Sequence, residues 1–239
     1  FESVRFFSMV SPVEFLSGMH WAPVSGAQVP DTFGAVPLFW GTVLIGVLIA
    51  MAVAIPLGLM TAIYLTQYAS DRVRRWLKPI IEVLAGVPTV VYGYFAALTI
   101  GPALRRAADS IGIAGASSDS ALSAGLVMGI MIIPLISSMA DDSLSAVPRA
   151  MRDGSLALGA TPSETIRKVL IPAALPGVMG GVLLAVSRAI GETMIVVMAA
   201  GQSANLTGNP VASVTTVTVQ IVKLMTGDQE LNSKKTLAA

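Results

Sequence analysis

Hydrophobic and polar residues fall into long blocks along this chain. Val43 to Leu65, Val83 to Leu104 and Ser120 to Ala140 contain no Asp, Glu, Lys or Arg, and a fourth block, Ala173 to about Ala200, is interrupted only by Arg188 and Glu192. The hydrocarbon core of a bilayer is about 30 Å thick and takes about 20 apolar residues of helix to cross, so each block predicts one transmembrane span. Pro56, Pro88 and Pro134 lie inside these blocks, where each removes a backbone donor and predicts a kink. Gly125 with Gly129, and the Gly177, Gly180, Gly181 group, predict places where helices approach closely. Pro210 to Val222 is shorter and rich in Thr and Val; it fits an interfacial, re-entrant or extended segment equally. Residues 1–37 are polar and aromatic and read as an external segment ahead of a membrane domain over 38–239.

Composition agrees with that pattern, since 54% of residues are hydrophobic and only 12% charged, far from the balance of soluble domains. The absence of cysteine excludes disulfide scaffolds and thiolate metal sites, and one histidine leaves no zinc set. His20, beside Trp21, reads as an interfacial or loop residue. A net charge of +1 gives no nucleic-acid footprint. No Gly-x-x-x-x-Gly-Lys-Ser/Thr occurs, so no phosphate-cradling loop for ATP is expected on this chain.

Basic residues set the orientation, because they are retained on the cytoplasmic side. Arg72, Arg74, Arg75 and Lys78 crowd the first loop and Arg149, Arg152, Arg167 and Lys168 the third, whereas the second has only Arg105 and Arg106. Loops one and three are therefore expected in the cytoplasm, with residues 1–37 and those after Ala200 outside. Lys234 and Lys235 run against the rule.

The third loop, 141–172, has the chemistry of a helical hairpin. Leu156-Ala157-Leu158-Gly159 closes one helix, with Gly159 suited to the left-handed closing position. After Ala160, Thr161-Pro162-Ser163-Glu164 opens another: Thr161 as N-cap, Pro162 at the first helical position, Glu164 reaching back as a capping box. Ile166, Val169 and Leu170 share one face and Glu164, Arg167 and Lys168 another, so the second helix is expected along the membrane surface.

At this loop the chain resembles the permeases of ATP-binding-cassette importers, whose signature is Glu-Ala-Ala, three residues, Gly, nine residues, Ile, one residue, Leu-Pro. Here Asp153-Gly154-Ser155, Gly159, Val169 and Ile171-Pro172 stand at that spacing, with Leu170 between the last two. Gly154 for Ala weakens the first helix by about 1 kcal/mol. The resemblance implies an all-α membrane protein with the type I importer architecture, four clear spans here of six, a span lying before residue 1 and another after residue 239. It also implies that the loop docks on an ATPase and transmits its closure, through Asp153, Gly159, Ala160, Thr161, Glu164 and Pro172.

Arg188 and Glu192 lie in mid-span, where ionised groups are costly unless paired or hydrated. Four residues apart, they are expected on one helix face, either as a self-neutralising structural pair or as the lining of a polar path in which Arg188 offers a planar fork to a tetrahedral oxyanion. Ser187 to Met194 is similar to a stretch of the phosphate-importer permeases; so are Ile81 to Gly93 and the approach Phe33 to Pro37 leading to Gly41-Thr42, which favours the C-type over the A-type subunit. By that resemblance Arg188, Glu192 and Thr193 line the translocation path, while Glu82, Pro88, Thr89 and Tyr92 line it or gate it. The implied partners are an A-type permease, two ATPase subunits carrying ATP and Mg, and a periplasmic or extracellular phosphate-binding protein, at a bacterial cytoplasmic (inner) membrane. Sulfate or molybdate importers and the A-type paralogue remain alternatives. An ion-coupled carrier is a further one, but has no need of the Gly159 loop.

Overall fold

A computed structural model of the protein describes residues 6–8, 10–22, 32–112 and 116–226. The chain divides into two compact units: Phe1–Ile49 with Thr89–Met128 and Ile190–Ala239, and Ala50–Pro88 with Gly129–Ala189. Lys234 and Lys235 lie outside the described residues.

A short helix α1 (Pro12–Ser17) and strands β1 (Trp21–Ala22) and β2 (Thr32–Phe33) precede the long helices α2 (Val36–Tyr68), α3 (Asp71–Ala85), α4 (Thr89–Ser110) and α5 (Ala121–Ser145). Then follow α6 (Arg149–Ala157), α7 (Pro162–Ile190), α8 (Met194–Ala199) and α9 (Val217–Thr226). Helices α2, α5 and α7 are each long and apolar enough to cross a bilayer. Pro56 and Pro134 sit within α2 and α5, as the sequence predicts.

Three expectations are corrected. The second block, Val83 to Leu104, is not one continuous helix: α3 ends at Ala85 and α4 starts at Thr89, with the break at Gly86 to Pro88, where Pro88 lacks the N–H that would carry the helix through. The second helix of the hairpin is not a separate surface helix. It forms the first turns of α7, running into the span through a π-helical stretch, Ile166–Leu170, next to Pro172, which has no N–H for the Lys168 carbonyl. The fourth block is also broken: α7 ends at Ile190 and α8 starts at Met194, so Arg188 and Glu192 do not share a helix face.

In the first unit, Trp21 pairs with Phe33 across β1 and β2, and both rings join a buried cluster with Phe6, Val10, Leu38 and Leu224. Phe6, Phe15, Trp21 and Phe33 meet edge to face, with centroids 5.5–6.3 Å apart, each contact worth about 0.5–1.5 kcal/mol beyond its buried area. Trp21 Nε1–H donates to Gln220 Oε1 at 3.1 Å, so that indole is a structural anchor, while His20 is exposed beside it. Pro210 to Val222 resolves into an irregular stretch followed by α9.

In the second unit, Ala62, Ala140, Leu144, Ile166, Leu170, Ala174 and Val178 form the core. Small residues permit it: a Cβ at Gly177 or Gly181 would strike Ser143 or Met139, and one at Gly129 would meet the Ala50 carbonyl and Val53. Gly180, by contrast, faces open space.

Candidate functional site

The hairpin is built as its sequence dictates. Helix α6 ends at Ala157, and Gly159 closes it with φ +86°, the left-handed region that a side chain resists. Gly159 N–H donates to the Leu156 carbonyl at 3.0 Å and Ala160 N–H to the Ser155 carbonyl at 3.2 Å, so the last carbonyls of α6 are satisfied by a Schellman turn. Thr161 then caps α7: its hydroxyl accepts from Glu164 N–H at 3.3 Å, while Glu164 Oε2 accepts from Thr161 N–H at 3.0 Å. The exposed Glu164 carboxylate also accepts from the Thr161 hydroxyl at 3.0 Å and from Lys168 Nζ at 3.4 Å. Ser155 and Thr165 hydroxyls lie 3.0 Å apart and tie the two arms together. Asp153 is exposed on α6, Pro172 lies in α7, and the tip presents Leu158, 92% exposed.

In the first unit, two stretches a hundred residues apart in sequence come together. The start of α4, with Thr89 and Tyr92, packs on α8, and Gly93 allows the approach: a Cβ there would lie 2.9 Å from Met198 Sδ and 3.2 Å from the Met194 carbonyl. Glu192 is 8% exposed, and its Oε1 accepts from Met194 N–H at 3.0 Å and Ile195 N–H at 3.3 Å. Its carboxylate therefore caps α8, satisfying donors that a helix start leaves open. The Glu192 carbonyl accepts from the Thr218 hydroxyl at 3.1 Å, which in turn lies 3.0 Å from that of Thr216. Thr193 is half-buried, and its hydroxyl donates to the Gly191 carbonyl at 3.4 Å.

Gly41-Thr42 holds the same Thr-rich segment from the other side. A Cβ on Gly41 would collide with the Thr215 carbonyl, and Thr42 Oγ1 donates to the Leu38 carbonyl at 2.8 Å while accepting from Val217 N–H at 3.2 Å. Arg188, exposed on the last turn of α7, and Glu82, exposed on α3, belong to the second unit, as does Pro88 at the bend.

Sequence reasoning missed one constellation. Asp141, 1% exposed near the end of α5, accepts from Arg74 at 3.1 Å and from Lys78 at 2.9 Å, and Lys78 also reaches Asp142 at 3.4 Å. No residue of α3 is fully buried, and these ion pairs tie it to α5 within its unit. The signal was present: cations four apart on an amphipathic helix, and two carboxylates closing an apolar span.

Three helices long and apolar enough to cross a bilayer, among the described residues, define a polytopic membrane protein. Residues 54–218 match the family of binding-protein-dependent transport system inner membrane components, and the chain belongs to that family. It is 36% identical over 212 residues to the probable ABC transporter permease protein YqgH of Bacillus subtilis (strain 168), covering 89% of this chain and 66% of that one. Against the phosphate transport system permease protein PstC it is 32% identical over 226 residues in Mesorhizobium japonicum (89% of this chain, 67% of that one) and 34% over 206 in Haemophilus influenzae (80% and 64%). The chain thus spans about two-thirds of the length of these relatives.

Proposed function

We propose that this chain is the C-type permease subunit of an ATP-driven phosphate importer in the bacterial cytoplasmic membrane. The observation that carries it is the hairpin, closed by Gly159 and reopened by the Thr161–Glu164 box, which an ATPase-coupled permease needs and an ion-driven carrier does not. The similarity to proteins named as phosphate permeases supports the cargo. In this reading the hairpin faces the cytoplasm and docks, through Leu158, on one of two ATPase subunits that bind ATP and Mg and do the hydrolysis, so this chain is itself no enzyme. A binding protein delivers phosphate to the outer face of a heterodimer with an A-type permease, and the spans rock to open the path outward and then inward.

Arg188 and Thr193 line the path, and Glu192 shapes it by fixing the start of α8. Glu82, Pro88, Thr89 and Tyr92 lie at the bend and on the helix that packs against α8; we assign them to the gate or the path wall. Arg188→Lys keeps the charge and loses the fork that holds two oxygens of a tetrahedral anion, so uptake is expected to fall at least tenfold at unchanged expression. Wild-type uptake and unaltered selectivity over sulfate would remove Arg188 from the path.

Glu192 separates capping from charge. Glu192→Gln keeps an acceptor for the two amides and is expected to preserve abundance and transport, whereas Glu192→Ala loses the cap, about 0.5–2 kcal/mol, and should lower the amount of folded subunit. A Gln variant that folds but does not transport would make the charge itself part of the path.

Gly159→Val places a β-branched side chain at φ +86°, at a strain of about 1–3 kcal/mol, in a position with open space around it. The hairpin should lose its turn while the spans insert normally, so ATP hydrolysis by the assembled complex should no longer respond to cargo. Cargo-stimulated hydrolysis at the wild-type level would take the hairpin out of the coupling.

A further inference from the structure

A polar groove in the second unit, at the foot of the hairpin, is not used by the reading above. Three arginines, Arg74, Arg149 and Arg152, line it together with Thr66, Gln67 and Ser145, and no Asp or Glu does. Arg74 is committed to Asp141 and also donates to Ser145 Oγ at 3.4 Å. Arg149 and Arg152 are different: among the described residues neither has an ion-pair partner, although Asp153 follows directly in sequence. They are three apart, on one face of α6, and they crowd the positive end of that helix. Pro148 gives that end no side-chain cap, and its first turn has no acid. Cations at the positive end of a helix are unfavourable by themselves, so the groove holds two arginines, Arg149 and Arg152, whose charge no carboxylate among the described residues pairs with. The donors on offer are two guanidinium forks, the Gln67 amide and the Ser145 hydroxyl; Thr66 already gives its proton to the Ala62 carbonyl and can only accept. Forked donors around a small polar groove match a phosphate group better than a lone carboxylate, because several oxygens can be held at once.

We propose that this groove binds one phosphate group, from an anionic lipid headgroup or from free inorganic phosphate, and that the bound group ties the start of α6 to the end of α5. Only the free-phosphate source rests on the cargo proposed above. Either ligand would act on the hairpin, since α6 is its first arm.

The test uses the full complex in nanodiscs of phosphatidylcholine, with or without phosphatidylglycerol, each with an Arg188→Gln subunit so that phosphate held in the translocation path does not contribute. Retained phosphatidylglycerol is counted by native mass spectrometry, and labelled inorganic phosphate is titrated in the phosphatidylcholine discs. Retention of one phosphatidylglycerol that Arg149→Gln/Arg152→Gln weakens about tenfold or more identifies a headgroup site. Saturable phosphate binding without anionic lipid, weakened equally by the same double variant, identifies a free-phosphate site. An Arg149→Lys/Arg152→Lys variant, which keeps the charge and loses the forks, should fall between the two and guards against a folding defect. If lipid retention and phosphate affinity are the same in wild type and in the Gln double variant, the proposal is wrong. The same holds if that variant loses only its ATPase subunit, since the arginines would then be answering protein carboxylates.

Discussion

Gly41→Val is expected to leave little subunit in the membrane and no phosphate uptake. The first atom of any side chain at Gly41 collides with the Thr215 carbonyl, which is backbone and has no rotamer to move aside. The neighbouring Thr42 blocks the usual escape, because shifting the 215–217 segment would break the hydrogen bond from Val217 N–H to Thr42 Oγ1. Overpacking of this kind costs about 1–3 kcal/mol and sometimes more, and the lost hydrogen bond adds about 1 kcal/mol, against a total stability of about 5–15 kcal/mol. The same segment runs into Thr218, which supports the Glu192 carbonyl, so the disturbance reaches the start of α8. Membrane-fraction abundance and protease protection of the Val variant, measured beside uptake, check this. Normal values of both would mean that Gly41 is not a packing hinge for the Thr-rich segment.

Asp141→Ala is expected to act differently, sparing insertion and abolishing most transport. Removing one partner of a buried ion pair costs about 3–5 kcal/mol. Here the abandoned cations Arg74 and Lys78 keep 35% and 32% of their side-chain surface exposed, so water recovers much of that. A loss of about 1–3 kcal/mol is the appropriate scale. That loss falls on α3, which buries no residue of its own and ends at the bend before Pro88. Limited trypsin digestion of inverted membrane vesicles should cut near Arg72 to Arg75 severalfold faster in the Ala variant, with uptake reduced in parallel. An unchanged digestion rate would show that α3 is held by something other than Asp141.

Much of the architecture could be read from the chain because lipid imposes a simple rule: long uncharged blocks are helices. The hairpin was legible to the residue, since Gly159, Thr161 and Glu164 act within a few positions of one another and local chemistry decides their conformation. The breaks were less so. Composition cannot distinguish a continuous span from one broken at Gly86 to Pro88, because both have the same run of apolar residues. Glu192 misled for a related reason: four residues from Arg188 suggested a shared helix face, but Gly191 lies outside the helix and the carboxylate turns to backbone N–H groups. The Asp141 network and the grip of Gly41-Thr42 on Thr215 to Val217 join residues 63 to 175 positions apart, and no periodicity reports such distances. Why Gly180 stands among the small residues, facing open space, has no explanation in the packing.

The most direct test is cargo-dependent ATP hydrolysis and uptake by the reconstituted complex, full-length permease pair, ATPase subunits and binding protein together, with phosphate compared against sulfate and molybdate. Phosphate should stimulate hydrolysis and accumulate inside the vesicles only when ATP is present, and the two other anions should do neither. Equal stimulation by sulfate or molybdate, or phosphate uptake driven by an ion gradient without ATP, would contradict the assignment of this chain to an ATP-driven phosphate importer.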